Sequence, residues 1–275
     1  IFRRWSERGS EPDPSLSAEL AEALRLPPLV ARLLARRGIT SVPAARDFLD
    51  CRLGNLPDPF LLTGMERAAG RLARAVAGGE RVAVHGDYDV DGITGAALLV
   101  ETLRGLGATV DCHIPLRLRD GYGLSAEALR LAAAAGASVA VSVDCGVCAF
   151  DEARLARELG LDLIITDHHQ PPEQLPDAYA IVNPHLPCGF PFKSLAGVGV
   201  AFFLLVALRK VLRESGFFRE RPEPDLRCCL DLVALGTIAD IVPLAGVNRM
   251  LTKAGLALLS GGQRPGVGAL REVAG

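Results

Sequence analysis

Arg81-Val82-Ala83-Val84-His85-Gly86-Asp87-Tyr88-Asp89-Val90-Asp91-Gly92 is the stretch that decides the fold. An apolar run of strand length leads into three aspartates within five residues. Gly92-Ile93-Thr94-Gly95-Ala96-Ala97-Leu98-Leu99 then opens an Ala/Leu-rich helix. Strand, polar turn and helix in that order form the repeating unit of a parallel sheet. Three carboxylates this close repel one another and raise each other's pKa unless a cation neutralises them. The stretch therefore reads as a strand end that helps to hold divalent metal ions, with further ligands supplied elsewhere.

The same rhythm continues downstream. Strand-like runs at 82–85, 109–114, 139–143, 163–166 and 180–182 alternate with helical patterns at 94–106, 125–135 and 150–159. This predicts an α/β domain, a mostly parallel sheet flanked by helices. After Gly197 the pattern is helical again, at 198–213, 226–235 and 249–259. Upstream, leucines at helical spacing between 17 and 37 are split by Pro27-Pro28. A short helix is expected at 44–49, a turn-rich link at 55–59 and a further helix at 64–77. Residues 1–78 are taken as a small helical cap, with a loosely held arm over about the first 14 residues, and residues 79–275 as the catalytic domain.

Composition narrows the classes. Half of the 275 residues are apolar and aromatics are few, as suits a helix-covered parallel sheet. A net charge of −2 carries no electrostatic signature of nucleic-acid binding, so such a role needs a local surface or another domain. Seven cysteines, an odd number, with no signal peptide, point to a reduced cytoplasm. Cys145-x-x-Cys148 has no second pair to complete a zinc site. The longest apolar run, 198–208, is too short to span a bilayer.

Ligands of an open parallel sheet gather at the carboxyl ends of its strands. Three strand ends carry acids or imidazoles: the opening stretch, Asp144-Cys145-Gly146, and Asp167-His168-His169. Asp240, in an apolar surrounding, is costly unless paired or ligating. Each motif alone has a plainer reading. The aspartates of 87–91 could be a solvated turn, Asp144 a helix cap, the histidines a surface pair, Asp240 a salt-bridged acid and Arg117 a surface ion pair. Their joint occurrence at successive strand ends favours one site. Carboxylates with imidazoles suit Mn²⁺ or Mg²⁺ better than a thiolate-bound ion, and two such ions can support in-line displacement at phosphorus.

This ordered set resembles the DHH phosphoesterase superfamily, and within it the bacterial single-strand-specific 5′→3′ DNA exonucleases. Ile114-Pro115-Leu116-Arg117, Asp120-Gly121-Tyr122-Gly123, Val182-Asn183-Pro184-His185 and Leu195-Ala196-Gly197-Val198-Gly199 extend the resemblance over about 28–275. The resemblance implies two divalent ions, Mn²⁺ or Mg²⁺, held by Asp89, Asp91, Asp144, His168 and Asp240, with Asp144 bridging. It implies that His169 contacts the scissile phosphate and that Asp87 supports the catalytic set. Arg117 would bind substrate phosphate. His85 stands where related pyrophosphatases have a ligand, and its role stays open. The second core domain of relatives (DHHA1-like) and their OB-fold are not visible in this chain.

The implied function is a two-metal, single-stranded-DNA 5′→3′ exonuclease of DNA repair and recombination. It would be a cytoplasmic, membrane-free, monomeric hydrolase with a helicase and single-strand-binding protein as family-expected partners. Two alternatives stay open. One is the same chemistry on short oligonucleotides, cyclic dinucleotides or pyrophosphate. The other is a metal-free replication scaffold, against which stands the complete set of ligand residues.

Overall fold

A computed structural model describes residues 11–119, 121–262 and 264–275. Most of the expected N-terminal arm lies outside them. The chain divides into two compact units, with the division between Arg52 and Leu53.

The first unit contains α1 (Pro14–Leu24), α2 (Pro28–Arg36) and α3 (Val42–Leu49). Proline explains the break between α1 and α2. Pro27 has no N–H to donate, and Pro28 starts α2 at the first helical position, where none is needed. Leu20, Ala31, Leu34 and Ala45 are buried together as this unit's core.

The second unit begins with α4 (Met65–Gly78) and β1 (Arg81–Gly86), followed by α5 (Val90–Gly105), β2 (Thr109–His113), α6 (Ala126–Ala134) and β3 (Ala137–Val143). Then come α7 (Phe150–Glu158), β4 (Asp162–Thr166), β5 (Ala180–Val182), α8 (Gly197–Glu214), α9 (Leu230–Ala239), α10 (Gly246–Gly261) and α11 (Pro265–Ala274). The sequence reading placed α4 with the cap. Instead, α4 buries Met65, Ala68, Ala69, Leu72 and Val76 in the same core as β1 and α8, so it belongs to the second unit. Segment 226–235, expected as one helix, is a 3₁₀ turn over Leu226–Cys229 followed by α9, and α11 was not expected at all.

All five strands are parallel, in the order β2-β1-β3-β4-β5. Alternate strand residues face opposite sides. Val82, Val84, Val139, Val141, Val143 and Ile164 join the core with α4, α5 and α8. Ala140, Leu163 and Ile165 join a second core with α6 and α7. Both faces are covered, which is why the strands read as continuous apolar runs. From β1 the chain steps out to β2, then returns past β1 to β3. The order therefore reverses between β1 and β3, and the crevice beyond their carboxyl ends is where such sheets bind ligands.

A candidate metal centre at the switch point

The backbone delivers an acid from each strand end to this crevice. Asp87 N–H donates to Val143 O (3.2 Å), Asp144 N–H to Thr166 O (2.9 Å) and Asp167 N–H to Val182 O (3.1 Å). Each aspartate thus prolongs the ladder of its strand by one rung onto the neighbouring strand. All three side chains are buried at the sheet edge.

Helix α5 starts earlier than its apolar pattern suggests, because Asp89 caps it. The Asp89 carboxylate accepts from Gly92 N–H at 3.0 Å. Asp91 then lies in the first turn, where a helix N-terminus favours negative charge. A second helix helps: Gly197 and Val198 N–H, at the start of α8, donate to the two Asp91 oxygens at 2.7 Å each. Glycine is needed at the crossing, since a Cβ on Gly197 would lie 2.7 Å from Asp144 Oδ1. Asp144 itself has φ +62°, a conformation that costs a non-glycine residue on the order of 1 kcal/mol or more and clusters at functional sites.

Three groups of side chains can each converge on a cation: Asp87, Asp89 and Asp144; Asp91, His168 and Asp240; and Asp144, His168 and His169. Asp144 belongs to two of them, and so does His168. His168 Nε2 is 3.1 Å from Asp144 Oδ1 and 3.7 Å from both Asp91 Oδ2 and Asp240 Oδ2. The 3.1 Å contact lacks hydrogen-bonding angles. Asp144 Oδ1, His168 Nε2, Asp240 Oδ2 and Asp87 Oδ1 are all buried without a hydrogen-bond partner. Orphaned buried atoms of this kind are costly in a folded chain. Asp87 with Asp144, and His168 with Asp240, fall in separate groups, so cations held by these groups would satisfy them, and the oxygen and imidazole donors suit Mn²⁺ or Mg²⁺.

The electrostatics agree. Burial and mutual repulsion push Asp144 up to about 7, and burial, chiefly, pushes Asp91 up to about 6. Asp87 and Asp240 are raised as well, again mainly by burial. Burial acts to lower His168, but the surrounding carboxylates outweigh it and hold the imidazole up at about 9.

His169 faces outward. Its Nδ1 is 2.7 Å from Asp167 Oδ1, and this hydrogen bond holds the imidazole above its ordinary value. The same Asp167 oxygen accepts from the N–H groups of His168 and His169, while Oδ2 accepts from Val147 N–H. Asp167 therefore orients the histidine pair. The sequence reading named it in the motif but gave it no role. The available signal was its position two residues before His169, the span over which an aspartate bonds the following backbone.

Tyr122, named in the sequence only as part of a segment extending the resemblance, also reaches the site. Its hydroxyl is 3.5 Å from both His169 Nε2 and Asp144 O, and its ring stands edge-on to Tyr88 and to His169. Arg117 lies over Tyr88 with Cζ 5.2 Å from the ring centroid. His85 takes part in none of the three groups. Its Nε2 is 3.0 Å from Gly123 O and its ring stacks on His113. Cys145 and Cys148 enter none of them either. Basic residues at the end of α8 and in the segment after it are paired with acids: Arg213 with Glu223 and Arg227 with Asp225. No helix among the described residues is long and apolar enough to cross a membrane.

Fold and site together define a doubly wound α/β domain with a buried carboxylate–imidazole centre able to hold divalent cations. The chain belongs to the DHH family, whose N-terminal domain matches residues 81–237. It is 48% identical over 254 residues to the single-stranded-DNA-specific exonuclease RecJ of Escherichia coli, covering 90% of this chain and 43% of that protein. To the same exonuclease of Bacillus subtilis it is 43% identical over 273 residues, covering 99% of this chain and 33% of the relative. Among solved structures, RecJ from Thermus thermophilus in complex with Mn²⁺ superposes with a TM-score of 0.79 at 36% identity, covering 97% of this chain and 36% of the other. An exonuclease RecJ bound to manganese gives 0.69 at 41% identity, covering 78% and 52%. The chain thus spans a third to under half of the length of these curated relatives.

Proposed function

We propose that this chain is the catalytic part of a metal-dependent exonuclease that hydrolyses phosphodiester bonds of single-stranded DNA from the 5′ end, in DNA repair and recombination. The observation that carries the reading is the convergence of four orphaned buried donor atoms on one crevice, with His169 and Tyr122 at its mouth. Asp89, Asp91, Asp144, His168 and Asp240 would hold two divalent ions, Mn²⁺ or Mg²⁺, and Asp144 belongs to two of the groups that could hold one. Asp87, buried beside Asp89, shares that work. Such ions, when bound, supply Lewis acidity toward the phosphodiester and toward water.

The chain's own residues do the rest. The start of α8 holds Asp91 in place with two backbone donors. Asp167 keeps Nδ1 of His169 occupied, so Nε2 is the atom left to donate toward a phosphate oxygen as charge develops there. Arg117 is exposed and meets no carboxylate among the described residues, so its guanidinium is free to take a phosphate of the strand. Single-stranded DNA as substrate, action as a monomer in the cytoplasm, and a helicase and a single-strand-binding protein as partners accompany this reading through the named relatives and the family.

A time course on 5′- and 3′-labelled single strands with Mn²⁺ tests it. Shortening from the 5′ end, abolished by EDTA and by Asp144→Ala, is the expected result. Full activity of Asp144→Ala would overturn the assignment.

A further inference from the structure

Helix α9 ends in a way that its own stability does not explain. Its cap is Asp240, and the next residue, Ile241, has φ +62° and donates its N–H to Ile238 O at 3.2 Å. Glycine ordinarily takes this left-handed conformation at a helix end, as Gly79 does after α4 and Gly262 after α10. A β-branched residue is a genuine outlier there, because its Cβ crowds the following carbonyl oxygen. Burial gives nothing back: Ile241 is 88% exposed, while its neighbour Val242 packs on the core. The chain thus keeps a strained, solvent-facing isoleucine directly after a residue of the metal centre.

Its surroundings point to a ligand. Asp240 Oδ2, one residue away, is buried without a partner and belongs with Asp91 and His168 to a group that could hold a cation. Helix α9 crosses the first turn of α5, where a Cβ on Gly236 would strike Thr94 Oγ1 and Asp91 Oδ1. Val90 and Ile93 on that turn, and Ile238 and Ile241 at the end of α9, are all exposed. The crossing therefore sets an apolar rim beside these donors. A phosphate gains nothing from such a rim, whereas the sugar and base attached to it present apolar faces. Isoleucine is among the side chains that proteins lay against bases, and base faces are open in a single strand but stacked away in a duplex. Resting on the reading of this centre as a single-strand phosphodiesterase, we propose that Ile241 is a substrate contact. It lies against the sugar and base of the nucleotide whose phosphate enters the centre, with Val90, Ile93 and Ile238 completing the rim, and it favours unpaired ends. The strained backbone is the stability given up for that contact.

Binding of the intact chain to 3′-fluorescein oligothymidylate is followed by anisotropy, with Ca²⁺ in place of Mn²⁺ to prevent cleavage. The same strand made abasic at its 5′ end, and a blunt duplex, are the comparison probes. Wild type should bind the base-bearing single strand several-fold more tightly than either. Glycine and asparagine are at ease in the left-handed backbone, so Ile241→Gly and Ile241→Asn should lose most of this preference. Both should keep the wild-type affinity for Mn²⁺ by titration and a Tm no lower than wild type. Variants that retain the preference overturn the proposal, as does a fall in Tm or in Mn²⁺ affinity in both of them, which would make the side chain structural. Shortening of labelled single strands with Mn²⁺ separates the two readings. If wild type shortens them and the variants keep the base preference, only the contact fails. If wild type shows the preference, the variants lose it and no strand is shortened, the contact stands and the nuclease reading fails. Absence of wild-type binding to every probe overturns the contact.

Discussion

Replacing Asp167 by Asn separates orientation from metal binding. The carboxylate is fully buried and accepts from four donors: three at Oδ1 and Val147 N–H at Oδ2. The amide of Asn can keep its carbonyl toward the three donors. Its NH₂ then faces Val147 N–H, donor against donor. One buried N–H left unsatisfied costs about 1–3 kcal/mol. For a chain of this size each kcal/mol lowers Tm by about 2–4 °C, so a fall of roughly 2–12 °C is expected by scanning calorimetry. Activity should fall further than stability. The amide is uncharged, so His169 loses the partner that raises its pKa and is less often a charged donor at neutral pH. Losing one donor to a developing oxyanion costs up to about 10²–10³ in turnover. Asp167 is in none of the metal-capable groups, so Mn²⁺ affinity by calorimetric titration should stay near wild type. Wild-type Tm and turnover in Asp167→Asn would refute the orienting role, and so would a loss of Mn²⁺ binding that accounts for the lost activity.

Further outcomes follow from the same geometry. In EDTA the chain should lose stability as pH rises from about 5 to 9. Asp144 and Asp91 have raised folded pKa values, so their ionisation above the ordinary carboxylate range disfavours the fold. His168, also raised, stabilises the fold below about 6.5 and loses that contribution as pH passes about 9. Saturating Mn²⁺ should flatten this dependence in melting curves, and a pH-independent Tm in EDTA would contradict it. Gly197→Ala should weaken Mn²⁺ binding measured by titration, because the added methyl meets Asp144 Oδ1 and Cβ at 2.7 and 2.8 Å, an overpacking worth about 1–3 kcal/mol. Arg71→Met should lower Tm and also reduce the acid sensitivity of the fold. Arg71 ties Glu80 to Asp162, and its hydrogen bonds to Glu80 lower that carboxyl, giving stability present above its unfolded pKa and lost as pH falls through the folded one. An unchanged acid limb in Arg71→Met would contradict it.

The division of labour between chain and fold shows at single residues. Alternation of apolar runs with helical patterns was sufficient to expect a parallel sheet, because strands buried on both faces must be apolar throughout. The same reading failed at α4. Its pattern shows an amphipathic helix but not which core the apolar face enters, and here that core is shared with β1 and α8. It failed at α11 because Ser260-Gly261-Gly262 reads as a loop, whereas α10 runs to Gly261 and ends on the left-handed Gly262.

Residue chemistry and spacing alone determined that acids and imidazoles stand at three strand ends, and that Asp240 is an acid in apolar company. Distance was beyond them. Only the sheet order decided that β1 and β3 are neighbours, so that Asp91 and Asp144, far apart in the chain, meet with His168 between them. Only the packing of α8 decided that two of its N–H groups hold Asp91. Only side-chain direction decided that His85 turns to Gly123 and His113, while Tyr122 and Asp167 close on His169. The physical reason is that composition and periodicity record each residue's affinity for water and for its near neighbours in sequence. A metal centre is made of long-range contacts, which exist only after the crossovers have brought distant strand ends to one edge.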